Sequence, residues 1–253
     1  MSDIHGRFVW YELISPDREA SKRFYGDVMG WGAEDTQMPG MVYTMFNIDG
    51  TPVAGLMDLP EPNARPGWTG YVAVDDVDGT VEQVKRLGGS VHVPPTDIAD
   101  VGRFSIVADP QGAVLALFTS LHPERDQPAA PGAPARVGWH ELAAVDWEKA
   151  FAFYSELFGW QKAEGIDMGE MGIYQLFSAG GQPIGGMFNK PPTVPAPAWL
   201  FYVNIGDIDA AIERVKAGGG QILNGPMQVP GGDWIVQSID PQGAMFALVG
   251  KRG

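Results

Sequence analysis

The chain has 253 residues, with 31 acidic and 17 basic side chains and a formal charge of −14 at pH 7; that balance argues against a nucleic-acid partner, because phosphate contacts need clustered Lys and Arg. Hydrophobic residues make up 45 % and charged residues 19 %, ordinary globular usage and not the signature of disorder. The absence of cysteine excludes disulfides, thiolate metal sites and Cys nucleophiles. No apolar run approaches the roughly 18–20 residues of a membrane span, so a soluble, cytoplasmic protein without a membrane or nucleic-acid partner is expected.

In chain order, Phe8 to Ile14 reads as a strand, and Asp17 is placed to cap a helix whose Ala20, Phe24, Tyr25 and Val28 recur at helical spacing. Gly30 stands where a left-handed residue ends such a helix. Strands follow at Met41–Ile48 and Pro52–Met57, and the Pro-rich break at 58–67 closes the first unit. A second unit repeats the order. It has a strand at Gly70–Val74, a helix expected to be capped by Asp78 and stopped by Gly88-Gly89, and strands at Ser90–Val93, Arg103–Ala108 and Ala113–Phe118. The last two strands are joined by the turn Asp109-Pro110-Gln111-Gly112, whose Gly permits positive φ.

The second half restates the first. Trp10-Tyr11-Glu12-Leu13 lies on Trp139-His140-Glu141-Leu142 at an offset of 129, and Asp17, Phe24-Tyr25 and Gly30-Trp31 fall on Asp146, Phe153-Tyr154 and Gly159-Trp160. After a shift to 131, Tyr43, Phe46, Trp68 and Tyr71 meet Tyr174, Phe177, Trp199 and Tyr202, and Asp109-Pro110-Gln111-Gly112 meets Asp240-Pro241-Gln242-Gly243. The reading is therefore a domain at 1–120, a Pro/Ala-rich linker at 121–136 and a second domain at 137–253, with the order β-α-β-β-β four times.

That order, with the phrase D-x-x-x-A-x-x-F-Y-x-x-x-x-G-W after the first strand (Asp146 to Trp160, with Ser21 at the Ala place in the first copy) and D-P-Q-G before the last, resembles the vicinal oxygen chelate superfamily, which includes glyoxalase I, extradiol dioxygenases and bleomycin-binding proteins. The resemblance implies an α+β fold in which four βαβββ modules pair into two tandem glyoxalase-like half-barrel domains, each around a cavity. It also implies metal ligands, commonly His, Gln or Glu, at set places on the strands. Those places fall on Trp10 and Trp139, near Thr69 and Leu200, around Gly55–Met57 and Gly186–Phe188, and on Ala116 and Ala247. A Trp nitrogen is a donor only, and the alanines and glycines offer nothing, so no cofactor is expected. A one-residue slip would bring His140 into a ligand place, although its counterpart Tyr11 would gain nothing.

On a strand, residues two apart share a face, so if Trp10 and Trp139 face the cavities, Glu12 and Glu141 face them too. A carboxylate desolvated beside Trp is a candidate catalytic acid or base; alternatively Tyr and Trp donors pin it as part of the wall. Tyr71, Ala116 and Phe118 in the first copy, and Tyr202 and Ala247 in the second, make apolar aromatic walls suited to a hydrophobic or aromatic small molecule. Asn204 and Trp234 make the second copy the richer in specific groups. His140 is expected on the helix side of its strand, as a structural residue. Met38, Met41, Met57, Met168, Met171 and Met187 are expected near the cavity rims.

Three functions remain open from sequence. One is a metal-free small-molecule-binding protein. Another is an enzyme of the same superfamily, a lyase or dioxygenase, either with a divalent metal held by non-standard ligands or metal-free with Glu12 or Glu141 moving a proton. The last is a structural protein that self-associates as a homodimer through an exposed sheet face. No phosphate loop, nucleophile elbow or zinc helix is present.

Overall fold

The computed structural model describes residues 3–38, 40–125, 128–130 and 132–253. Residues 126, 127 and 131 of the expected linker lie outside them. Four modules follow one another, each a strand, a helix and three strands. The first holds β1 (Phe8–Ser15), α1 (Arg18–Met29), β2 (Gly32–Met38), β3 (Met41–Ile48) and β4 (Thr51–Asp58); the second holds β5 (Gly67–Ala73), α2 (Val77–Arg86), β6 (Ser90–Ile98), β7 (Gly102–Ala108) and β8 (Val114–Ser120). The third is β9 (Val137–Ala144), α3 (Trp147–Phe158), β10 (Gln161–Asp167), β11 (Ile173–Ser178) and β12 (Pro183–Asn189); the fourth is β13 (Ala198–Asp207), α4 (Ile208–Ala217), β14 (Gln221–Gln228), β15 (Trp234–Ile239) and β16 (Met245–Lys251). The strands form two mixed sheets, ordered β2-β3-β4-β1-β5-β8-β7-β6 and β10-β11-β12-β9-β13-β16-β15-β14. Within a module the first and last strands pair in parallel, as Glu12 with Gly55 and Glu141 with Gly186, and the remaining pairs are antiparallel. No described helix is long and apolar enough to cross a membrane.

Local sequence explains most boundaries. The Asp17 carboxylate accepts from the Ala20 amide at 2.9 Å, and Asp146 accepts from Lys149 at 3.1 Å, each satisfying an orphan donor of the first turn. Gly30 and Gly159 end the same two helices with φ of 75° and 69°, where a Cβ would be disfavoured. The cap of α2 differs from expectation. Asp76 occupies the cap position without a side-chain bond, and Asp78 sits in the first turn, where both its oxygens bind the Arg103 guanidinium at 2.7 and 3.0 Å. Strand β2 gives no hydrophobic signal because six of its seven residues are exposed; it is an edge strand whose Glu34 and Asp35 discourage further pairing. Strand β6 runs past Val93 because a register shift between Val93 and Thr96 accommodates Pro94 and Pro95.

The chain condenses into two compact units that do not follow the sequence halves. One comprises Met1–Val9, Thr69–Pro128 and Trp139–Leu200; the other comprises Trp10–Trp68, Ala129–Gly138 and Phe201–Gly253. The second unit has its core between the first and fourth modules, where Leu13, Phe24, Tyr25, Phe46 and Leu56 pack with Val203, Ile212, Val215, Phe246 and Leu248. Helices α1 and α4 meet here, and the Arg214 guanidinium donates to the Val28 carbonyl at 3.1 and 3.2 Å. Gly220 allows this approach, since a Cβ there would crowd the Phe24 ring. The end of the linker is tied to this unit: the Trp31 indole donates to the Ala135 carbonyl at 2.7 Å, and the Asn204 amide donates to the Ala133 carbonyl at 2.9 Å.

The first unit has matching contacts between the second and third modules. His140 stacks on Phe8 with centroids 3.9 Å apart, its Nδ1 donating to the Ile184 carbonyl at 2.6 Å, and Trp160 donates to the Gly6 carbonyl at 2.6 Å. The Gln111 side chain bonds both the Asp146 amide and the Asp146 carbonyl at 2.8 Å.

Candidate functional site

The paired copies of the motif phrases meet first in the core of each unit. In one, the Trp68 indole donates to the Tyr25 hydroxyl at 2.9 Å, and Tyr25 donates to Asp240 at 2.9 Å. In the other, Trp199 donates to Tyr154 and Tyr154 to Asp109, both at 3.1 Å. The second oxygen of each aspartate accepts two backbone amides, those of Gln111 and Ala113 at Asp109 and of Gln242 and Ala244 at Asp240. Tyr25 and Tyr154 are fully enclosed, and burial pushes both phenols well above the ordinary tyrosine range. Burial also raises the Asp240 carboxyl. These chains fasten helix to turn, with the tyrosine and aspartate of each buried, which makes them structural.

A second pair of chains is half-open. On β1 the Trp10 indole donates to the Tyr43 hydroxyl of β3 at 3.1 Å, and Tyr43 donates to Glu12 at 3.1 Å. On β9 Trp139 donates to Tyr174 of β11 at 2.8 Å, and Tyr174 donates to Glu141 at 3.0 Å. Trp and Glu thus share a face as the period of a strand requires, and a tyrosine from the strand two places away in the sheet lies between them. Trp10, Glu12, Tyr43, Trp139 and Tyr174 are half-buried, and Glu141 is 9 % exposed. Burial, reinforced by the neighbouring glutamate charge, raises Tyr43 and Tyr174 well above the usual phenol range. The glycines of the adjoining strands make room for these rings. A Cβ at Gly55 would overlap the Tyr43 hydroxyl, and one at Gly186 would overlap the Tyr174 ring.

The remaining sequence candidates are distributed as follows. In the first unit Tyr71 lies beside Ala116 in the strand register and edge-on to Phe118 at 6.2 Å, with Phe104 at 6.3 Å. In the second, Tyr202 pairs with Ala247 and its hydroxyl accepts from Gln237 at 2.7 Å. Trp234 carries the Arg252 guanidinium over its ring at 4.8 Å, and Asn204 holds the linker. His140 is buried and neutral, its pKa lowered to about 4 by desolvation. Met168 and Met171 are exposed on the turn after β10, whereas Met187 is fully buried beside Leu142 and belongs to no rim. Sequence reading missed Tyr43, Tyr174 and Gln237 as site groups. The equivalence of Tyr43 and Tyr174 at the 131-residue offset was the available signal.

A family model described as the Glyoxalase/Bleomycin resistance protein/Dioxygenase superfamily matches residues 7–117 and 136–248. The chain belongs to that superfamily. It is 33 % identical over 247 residues to the Mycobacterium tuberculosis protein named "Putative glyoxylase CFP32", covering 95 % of this chain and 93 % of that one. It is 32 % identical over 264 residues to the anthracycline biosynthesis protein DnrV of Streptomyces peucetius, covering 98 % and 94 %. Among solved structures, the Mn(II)-bound glyoxalase of Novosphingobium aromaticivorans aligns with a TM-score of 0.65 at 18 % identity, over 99 % of this chain and 83 % of that chain. The 2,3-dioxygenase LapB of Pseudomonas sp. KL28 aligns with a TM-score of 0.67 at 14 % identity, over 99 % and 94 %. At these identities the structures establish the fold alone.

The residues at the superfamily's ligand places do not fit a divalent cation, which wants several oxygen or nitrogen ligands at about 2.0–2.6 Å. Two are indoles whose only polar hydrogen already points at a tyrosine, two are alanines, and Gly55 and Gly186 lie under tyrosine rings. Among the described residues no group of three or more His, Cys, Asp or Glu stands close enough to hold a metal.

Proposed function

We propose that this protein binds planar aromatic small molecules against the sheet faces carrying Trp10-Tyr43-Glu12 and Trp139-Tyr174-Glu141, with no metal ion bridging ligand and protein. The observation that carries this reading is that, in both copies, an indole occupies one of the expected ligand places and stands in a single hydrogen-bonded row with a phenol and a carboxylate. An indole and a phenol give large, rigid contact area, and one charged group fixes orientation. The name of the relative DnrV, an anthracycline biosynthesis protein, supports the ligand class, because an anthracycline contains a planar anthraquinone ring system.

Titration of the full chain in EDTA with 1,4-dihydroxyanthraquinone, followed by tryptophan fluorescence, is expected to give saturable quenching that falls in Trp10→Phe and Trp139→Phe. Absence of saturable quenching in the parent chain would overturn the reading.

One observation favours a second reading as a metal-free enzyme. The Glu141 carboxylate is nearly enclosed yet held by a phenol, an environment in which a carboxylate can move a proton. That reading requires turnover of the bound aromatic and a loss of at least about a hundredfold in Glu141→Gln.

A further inference from the structure

The two copies differ in length at a connection that borders one of the rows. In the first copy β2 ends at Met38 and β3 begins at Met41, and these two methionines are half-buried partners in the strand register. In the second copy β10 ends at Asp167 and β11 begins at Ile173, and the change of offset from 129 to 131 falls in the loop between them. That loop, Met168 to Gly172, leads through Ile173 directly into Tyr174 of the second row.

The loop is built, not slack. The Met168 amide donates to the Gly172 carbonyl and the Gly169 amide to the Asp167 carboxylate, both at 2.9 Å. Gly169 has a φ of 64°, and Gly172 has φ 77° and ψ −151°, a combination open to glycine almost alone. Backbone held in so sparsely populated a region clusters at ligand clamps. The frame keeps Met168 and Met171 39 % and 53 % exposed, apolar area that contact with a ligand would remove from water. Strand parity also carries the aromatic face toward this loop. Phe188 lies two residues beyond Gly186 on β12, so it shares the face that the Tyr174 ring covers, and its ring centroid is 5.9 Å from that of Tyr174. A thioether is flexible, polarizable and attracted to aromatic rings.

We infer that the Met168–Gly172 loop clasps an aromatic molecule lying on the Trp139-Tyr174-Phe188 face, with both methionines packed on its ring, and that the second row therefore binds the same ligand more tightly than the first. This rests on the aromatic-binding reading above and adds which residues grip the ring and which copy is the stronger.

The test is tryptophan quenching by 1,4-dihydroxyanthraquinone in two full-length variants. Trp10→Phe leaves the second row as the reporter, and Trp139→Phe leaves the first. The Trp10→Phe chain is expected to bind at least about fivefold tighter, since each contact of a thioether with a ring gives a factor of about two to ten. Adding Met168→Gln and Met171→Gln is expected to remove that advantage, and to change the affinity of the Trp139→Phe chain by less than about twofold; both positions are exposed, so the fold tolerates the changes. Met168→Leu with Met171→Leu keeps the apolar contact and should hold the Trp10→Phe chain within about threefold of its starting affinity. Equal affinities of the two single variants, or glutamine substitutions that weaken both chains alike or neither, would overturn the inference while leaving aromatic binding in place. If the parent chain shows no saturable quenching, the aromatic-binding reading falls and this inference with it.

Discussion

His140 gives the sharpest quantitative prediction about stability. Its ring is 6 % exposed, stacked on Phe8 and bonded through Nδ1 to the Ile184 carbonyl, and desolvation holds its pKa at about 4. An unfolded histidine titrates near 6.5. The folded pKa lies below the unfolded one, so as pH falls the unfolded chain takes up the proton first. The stability contributed by the neutral imidazole is fully present above about pH 6.5 and is lost progressively down to about pH 4. At 1.36 kcal/mol per unit, that loss amounts to about 3 kcal/mol. His140→Gln cannot titrate. Urea unfolding followed by far-UV circular dichroism at pH 7, 5.5 and 4 compares the two proteins, and the carboxylates common to both cancel in the difference. The variant is expected to be the less stable at pH 7 because it loses the stack, and to gain about 3 kcal/mol on the parent by pH 4. Parallel stability curves for parent and variant would refute the argument that this imidazole is buried in its neutral form.

The enclosed and half-open tyrosine chains should respond differently to loss of one oxygen. Tyr154→Phe strands the Trp199 N–H and an Asp109 oxygen, in residues 8 % and 4 % exposed, and is expected to cost about 2–4 kcal/mol, whereas half-buried Tyr174→Phe should cost about 1 kcal/mol. Urea midpoints rank the two, and equal losses would contradict the assignment of Tyr154 as the structural member. Gly186→Ala places a methyl group in the Tyr174 ring and should destabilise by about 1–3 kcal/mol while weakening quenching by 1,4-dihydroxyanthraquinone. Unchanged quenching would mean that the position of Tyr174 does not shape the binding face.

The features legible in the sequence were those written in local chemistry. The doubled register, the capping aspartates 17 and 146 and the glycines 30 and 159 all act within a few residues of themselves, and a one-dimensional reading finds them. Strand β2 escaped because an edge strand in solvent carries no alternating apolar pattern, and β6 was cut short because Pro94 and Pro95 sit in a bulge that only its partner strand reveals. The repeated Phe-Tyr and D-P-Q-G phrases were visible, but their pairing was not. Tyr25 meets Asp240, and Tyr154 meets Asp109, at separations of 215 and 45 residues. At the candidate site the face shared by Trp10 and Glu12 followed from strand parity. The tyrosine between them comes from a strand two places away in the sheet, and the missing side chains at Gly55 and Gly186 take their meaning from that tyrosine.

The central claim is that the scaffold of this superfamily here holds an aromatic ligand without a cation. Elemental analysis of the purified untagged chain, combined with calorimetric titration of 2-naphthol before and after exhaustive EDTA dialysis, tests it most directly. The account predicts substoichiometric Mn, Fe, Zn and Ni and an affinity unchanged by chelation. One equivalent of a transition metal per chain, with binding lost on its removal and restored on its return, would contradict it.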